Sequence, residues 1–164
     1  MNSRKTLIVF SILVILGFAG FFIFNRREKQ IQKPDDFNFI FRYGVGGKNE
    51  IDTFKGTYTK DMVTEPSITI DFKLSDSEME GVYKKIEELE IFNITEKNKD
   101  NLIVTPCNSY YLKVQSKSEV KDISWDNCSG TPNERLTELS DYITSIIESY
   151  EEVKNLPVPE GAYL

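Results

Sequence analysis

Beyond residue 30 the sequence predicts an α+β domain: a mainly antiparallel sheet of about six strands with two amphipathic helices, arranged as two β-β-β-α halves. Three observations carry this expectation. Runs such as Phe37 to Tyr43 alternate strictly between apolar and polar residues, the period of a half-buried strand. Two later stretches combine helix-start signals with apolar residues at helical spacing. The hydrophobic fraction of 40%, with 11 Phe and 8 Tyr in 164 residues, is enough to fill one core.

Residues 1–29 stand apart from that domain. Thr6 to Phe24 is an uncharged run of 19 residues bracketed by Arg4 and Lys5 on one side and Arg26, Arg27 and Lys29 on the other. At about 1.5 Å per residue such a helix nearly spans a hydrocarbon core of roughly 30 Å, and the basic flanks suit the headgroups. Residues 6–24 are therefore expected to lie in a lipid bilayer as an uncleaved single-pass anchor. Gly17 and Ala19 would suit signal cleavage, but Phe21 to Phe24 extend the apolar run past that point. Residues 30–36, polar and containing Pro34, form a tether.

Within the domain, assigned to residues 37–154, Phe37, Phe39, Phe41 and Tyr43 share one strand face. Gly44, Gly46, Gly47 and Asn49 supply the turn that follows. Glu50 to Met62 reads as one longer, more polar strand, bulged at Gly56 or near an edge, and Glu65-Pro66 breaks it. Ser67 to Leu74 then points Ile68, Ile70, Phe72 and Leu74 inward. Ser75-Asp76-Ser77-Glu78 is a capping box, and Met79, Val82, Tyr83, Ile86 and Leu89 form the apolar stripe of the helix it opens. Thr95 to Asn101 is a polar loop, and Leu102 to Thr105 a short strand. Thr131, Pro132 and Glu134 open a second helix with Leu136, Leu139, Ile143, Ile146, Ile147 and Tyr150 on its buried side. Residues 155–164 hold Pro157 and Pro159, which exclude a helix, so this tail is expected to be extended.

Tyr110 to Ser116 and Val120 to Trp125 predict a hairpin turning at Lys117-Ser118. Opposed residue numbers then sum to 235, which sets Tyr110 against Trp125, Leu112 against Ile123 and Lys113 against Asp122. These are pairings that cross-strand packing favours. The same register brings Cys107 opposite Cys128, at the spacing a disulfide needs. A bond of that kind persists in an oxidising compartment and argues for a body outside the cytoplasm. The basic count behind the apolar run, Arg26, Arg27, Lys29 and Lys33, points the other way and leaves a cytoplasm-facing accessory or immunity-type protein as an alternative.

The composition excludes much chemistry. Histidine is absent, which removes the commonest general base, zinc ligand and pH switch. Of 20 Lys and Arg, five lie before residue 31, against one of 26 acids; this leaves 15 bases, 25 acids and a net charge of −10 on the body. Such a surface is unsuited to nucleic acid. No phosphate loop, nucleophile elbow or calcium loop is present, so no catalytic residue, cofactor or metal ligand is expected. Asp52, Asp61 and Asp71 are the remaining basis for a carboxylate hydrolase or a metal-binding domain, although acids on an open sheet face are usually just solvated. By the alternation count Tyr58 and Tyr111 fall on the polar sides of their strands and mark a possible binding surface for an envelope protein, peptide or wall component.

The run from Lys60 through Phe92, with an E-P turn, an alternating strand, L-S-D-S-E-M and a Tyr-containing helix ending at E-I-F-N, resembles small exported or membrane-anchored proteins of Gram-positive bacteria. The resemblance implies an address in the cell envelope and no particular activity.

Overall fold

The computed structural model describes residues 31–95, 106–128 and 133–163. The chain divides between Ile31 and Gln32, and the architecture below belongs to the second unit, Gln32–Leu164. The expected membrane segment, the short strand at 102–105 and the 131–132 part of the helix cap lie outside the described residues. Among the described residues no helix is long and apolar enough to cross a membrane.

Six antiparallel strands form one sheet in the order β4-β3-β2-β1-β5-β6. They are β1 Asn38–Tyr43, β2 Asn49–Asp52, β3 Thr57–Met62, β4 Glu65–Asp71, β5 Ser109–Ser116 and β6 Glu119–Asp126. Helix α1 spans Asp76–Glu88, a 3-10 turn follows at Ile91–Asn93, and α2 Glu134–Ser149 precedes the single turn α3 Glu151–Lys154. The α+β class and the six-stranded antiparallel sheet agree with the sequence pattern. The two-halves plan does not: four strands precede α1, and two described strands precede α2.

The difference arises between Glu50 and Met62. The predicted single strand is two strands joined by a tight turn at residues 53–56. Asp52 drives that turn, because its Oδ1 accepts from the amides of Phe54 and Lys55 at 3.0 and 3.1 Å. Gly56 closes it at φ +68°, where a side chain would be strained and would press on Lys73. The expected break at Glu65-Pro66 is also displaced. Val63 turns the chain at φ 65°, and Pro66 lies inside β4, an edge strand where a missing amide is tolerated.

Pairing registers align one inner row across all six strands: Ile70, Tyr58, Ile51, Phe41, Leu112 and Ile123. Helices α1 and α2 supply Val82, Tyr83, Ile86, Leu136, Leu139, Ile143 and Ile147 to the same core. The capping box forms as expected: the Glu78 amide donates to Ser75 Oγ and the Ser75 amide to Glu78 Oε2. The Tyr150 hydroxyl also donates to Glu78 Oε2, tying the end of α2 to the start of α1. Burial pushes the Glu78 carboxyl up, but the hydrogen bonds from Ser75 and Tyr150 outweigh it and hold the group below its ordinary value. The second helix is capped by Asn133, whose side chain accepts from the Arg135 amide.

The helices meet closely at Gly81. A Cβ there would lie 2.4 Å from the Tyr142 hydroxyl oxygen and 3.6 Å from the ring carbon behind it. Gly81→Ala should therefore lower stability by about 1 kcal/mol, since overpacking outweighs the gain in helix propensity. In a Tyr142→Phe background the same change should stabilise by up to about 1 kcal/mol, because only the propensity gain remains. Chemical denaturation of the four proteins of this cycle measures it; additive effects would refute the contact.

Both ends of the unit are fastened to the sheet. The Asp36 carboxylate accepts from the Lys117 amide at 2.9 Å and the Ser118 amide at 2.7 Å. These amides belong to a two-residue turn at φ 52° and 63°, a conformation non-glycine residues seldom adopt. The two amide bonds hold the Asp36 carboxyl below the ordinary value. At the other terminus Glu160 bridges to Val63, the Thr64 hydroxyl donates to the Glu160 carbonyl, and the Tyr163 hydroxyl donates to Asp61.

Candidate functional site

Helices cover one face of the sheet, and the outward side chains of the other face form two polar rows. The first reads Thr69, Thr59, Glu50, Arg42, Tyr111 and Ser124 across the strands. The second reads Asp71, Thr57, Asp52, Ile40, Lys113 and Asp122. Alternation along each strand places both rows opposite the aromatic core.

A connected network occupies the centre of this face. Arg42 Nε donates to Glu50 Oε2 at 2.5 Å, and its guanidinium carbon lies 5.3 Å from the centre of the Tyr111 ring. The Tyr111 hydroxyl donates to Asp122 Oδ1 at 2.5 Å. Burial, then the bond to Asp122, pushes the Tyr111 phenol up to about 12. The ring and guanidinium are thus held in place before any partner arrives, which lowers the ordering cost of binding. To one side, the Thr59 and Thr69 hydroxyls share a 2.9 Å hydrogen bond. Tyr111 therefore stands where the sequence placed it, on the polar side.

Tyr58 does not. It is 3% exposed, in the inner row, with its hydroxyl 3.0 Å from that of Tyr43. The count that set it outside ran through residues 53–56 as extended strand. The turn there reverses the chain and pairs Tyr58 with Ile51, which moves it to the core face. Tyr58 is withdrawn from the candidate surface. Arg42, Glu50 and Asp122 take its place beside Tyr111. Arg42 was signalled by the even-numbered side of the Phe37–Tyr43 alternation and Asp122 by the hairpin register, whereas Glu50 reaches the group only through the pairing of β1 with β2.

The three aspartates are spread across the sheet, and Asp52 and Asp61 each have local partners of their own. Asp52 is 1% exposed and is engaged by its own turn and by Lys55 Nζ at 2.8 Å. Burial raises its carboxyl, yet the Lys55 and amide hydrogen bonds leave it below the ordinary value. Asp71 shares a row with Asp52 but sits two strands away, a separation of about 10 Å, with Thr57 between. Asp61 lies four residues beyond Thr57 along β3, about 13 Å, and binds Tyr163 and the Val63 amide. Among the described residues no group of three or more Cys, Asp or Glu could hold a metal ion.

The cysteines stand at the opposite end of the sheet from the Lys117-Ser118 turn. Register pairs every residue of β5 with β6 at a sum of 235, and Cys107 and Cys128 extend it as a disulfide with Cα atoms 5.5 Å apart. No protein-family model matches the chain, and no curated protein is similar to it in sequence.

Proposed function

We propose that the protein is a membrane-tethered, extracytoplasmic binding module of the cell envelope without enzymatic activity. In this reading residues 6–24 anchor it in the bilayer, and the open sheet face docks an envelope protein or peptide. The observation that carries the docking part is the ordered Arg42–Tyr111–Asp122 network at the centre of a face that α1 and α2 leave uncovered. Tyr and Arg are the side chains most often central to binding energy. The paired cysteines support an oxidising address.

Two measurements test the proposal. In intact cells a membrane-impermeant thiol reagent should label Cys107 and Cys128 only after reductant; labelling that requires cell lysis would establish the cytoplasm-facing alternative. For docking, a photo-crosslinking residue replacing Tyr111 should trap a discrete envelope partner. Arg42→Ala should abolish that adduct and lower stability by about 1 kcal/mol or less, since the Arg42 side chain in its ion pair with Glu50 is half exposed to solvent. An adduct that survives Arg42→Ala would place the contact elsewhere.

A further inference from the structure

The tail at residues 155–163 lies against the end of β3 and the turn into β4. Pro157 and Pro159 keep it from forming a helix. Glu160 pairs with Val63 in a parallel bridge, and the Thr64 hydroxyl donates to the Glu160 carbonyl at 3.1 Å. Beyond this pairing the Tyr163 hydroxyl donates to Asp61 Oδ2, and Lys48 Nζ lies 4.6 Å from the centre of the Tyr163 ring. Between these contacts Gly161 turns at φ +88°, and a Cβ there would lie 2.7 Å from Thr64 Cγ2. Thr64 cannot rotate away without giving up its bond to Glu160, so the position favours glycine strongly. The seat thus reads two features of the chain lying in it: a glycine and, two residues later, a tyrosine.

Two further observations separate this seat from the core. No residue from Pro157 to Ala162 is buried, and Val158 is 81% exposed. The tail can therefore leave without uncovering the core. The receiving groups, in contrast, are ordered by partners of their own. The Asp61 amide donates to Asn49 Oδ1 at 3.0 Å, and Asp61 Oδ1 accepts from the Val63 amide at 3.3 Å. Neither bond involves the tail, so the seat keeps its shape when empty and the cost of ordering it is already met.

We infer that the seat formed by Lys48, Asp61, Val63 and Thr64 takes the tail of a second copy of this chain. The chemistry of the fit is that of the segment already seated there. Reciprocal exchange places each tail in the other copy's seat, a two-fold arrangement that closes on itself. The inference uses neither the Arg42–Tyr111 network nor the membrane anchor.

A protein's own tail competes at an effective concentration on the order of millimolar, so the test disables it with one substitution in the full-length chain. Full-length Tyr163→Ala in detergent micelles is titrated with a peptide of residues 156–163. Amide NMR signals of Lys48, Asp61 and Thr64 should move saturably, and the wild-type protein, whose seat is filled, should respond more weakly. Peptides carrying Gly161→Ala or Tyr163→Phe should bind about tenfold less tightly, one losing the close approach to Thr64 and the other a charge-assisted hydrogen bond. A second arm supplies the tail on an intact chain. Isotope-labelled Tyr163→Ala, with its seat intact, is mixed with unlabelled Asp61→Ala, with its tail intact. The mixture should reproduce the shifts that the peptide causes, and Tyr163→Ala alone at the same total concentration should not. Equal affinity for all three peptides, or no saturable shift, would show that only covalent attachment keeps the tail in place and would overturn the proposal. Shifts with the peptide but none in the mixture would overturn the second copy as the occupant.

Discussion

Phe41→Ala should cost the protein about 3–5 kcal/mol, a large share of the roughly 5–15 kcal/mol that holds a domain together. Phe41 is fully buried at the crossing of both axes of the core. Along the sheet it stands between Ile51 and Leu112, its cross-strand partners on β2 and β5. Around it Tyr43, Tyr110 and Trp125 stack with centroids 5.4, 6.4 and 6.3 Å away. Truncation removes those contacts and leaves a void beneath rings too stiff to collapse into it. Phe41→Leu, which keeps most of the volume, should cost clearly less. Trp125 is the one tryptophan and is 9% exposed, so its emission follows unfolding of the body without interference from other indoles. Because the substitution also alters the surroundings of Trp125, the denaturation midpoint is the quantity to compare. A loss below about 1 kcal/mol would mean the aromatic row does not bear the core.

Residues close in sequence were the easier ones to place. The β5–β6 hairpin was legible to the residue because Lys117-Ser118 sits between two runs whose partners match in kind, so the register had one good solution. The capping box at Ser75 and the stripes of both helices were legible for the same reason, being local. Tyr58 was misplaced because glycine inside an alternating run signals a bulge or a turn equally well. The deciding interaction, the Asp52 carboxylate holding the Phe54 and Lys55 amides, leaves no mark on periodicity. The network of the open face was half visible. Tyr111 and Asp122 come from one hairpin, but Arg42 reaches Tyr111 only because β1 pairs with β5, and alternation carries no information about strand order. Asp36 likewise meets Lys117 across 81 residues. Such contacts follow from topology, which the hydrophobic pattern restricts without selecting.

Replacing both cysteines by serine should lower stability by about 3 kcal/mol, the chain-entropy value for a loop with a sequence separation of 21, and the melting temperature by about 10 °C. The folded state should change little. Beside the bond, the Gly46 amide donates to the Cys107 carbonyl at 3.2 Å and the Ser109 amide to the Gly44 carbonyl at 2.9 Å. The Asn108 amide donates to Asn127 Oδ1, and the Cys128 amide donates to Asp126 Oδ1. These contacts hold both cysteine positions without help from sulfur, so the effect resides mainly in the unfolded chain, which the link keeps compact. Two consequences distinguish this account from simple loss of native contacts. The denaturant slope should rise in the double variant, because the unlinked chain exposes more surface on unfolding. Reductant should bring the wild-type protein to the same midpoint as the variant while leaving the variant unaffected. A wild-type midpoint indifferent to reductant, in protein taken directly from its native source without oxidation, would mean the thiols are free where the protein works, and the physical basis for the proposed extracytoplasmic body would be gone.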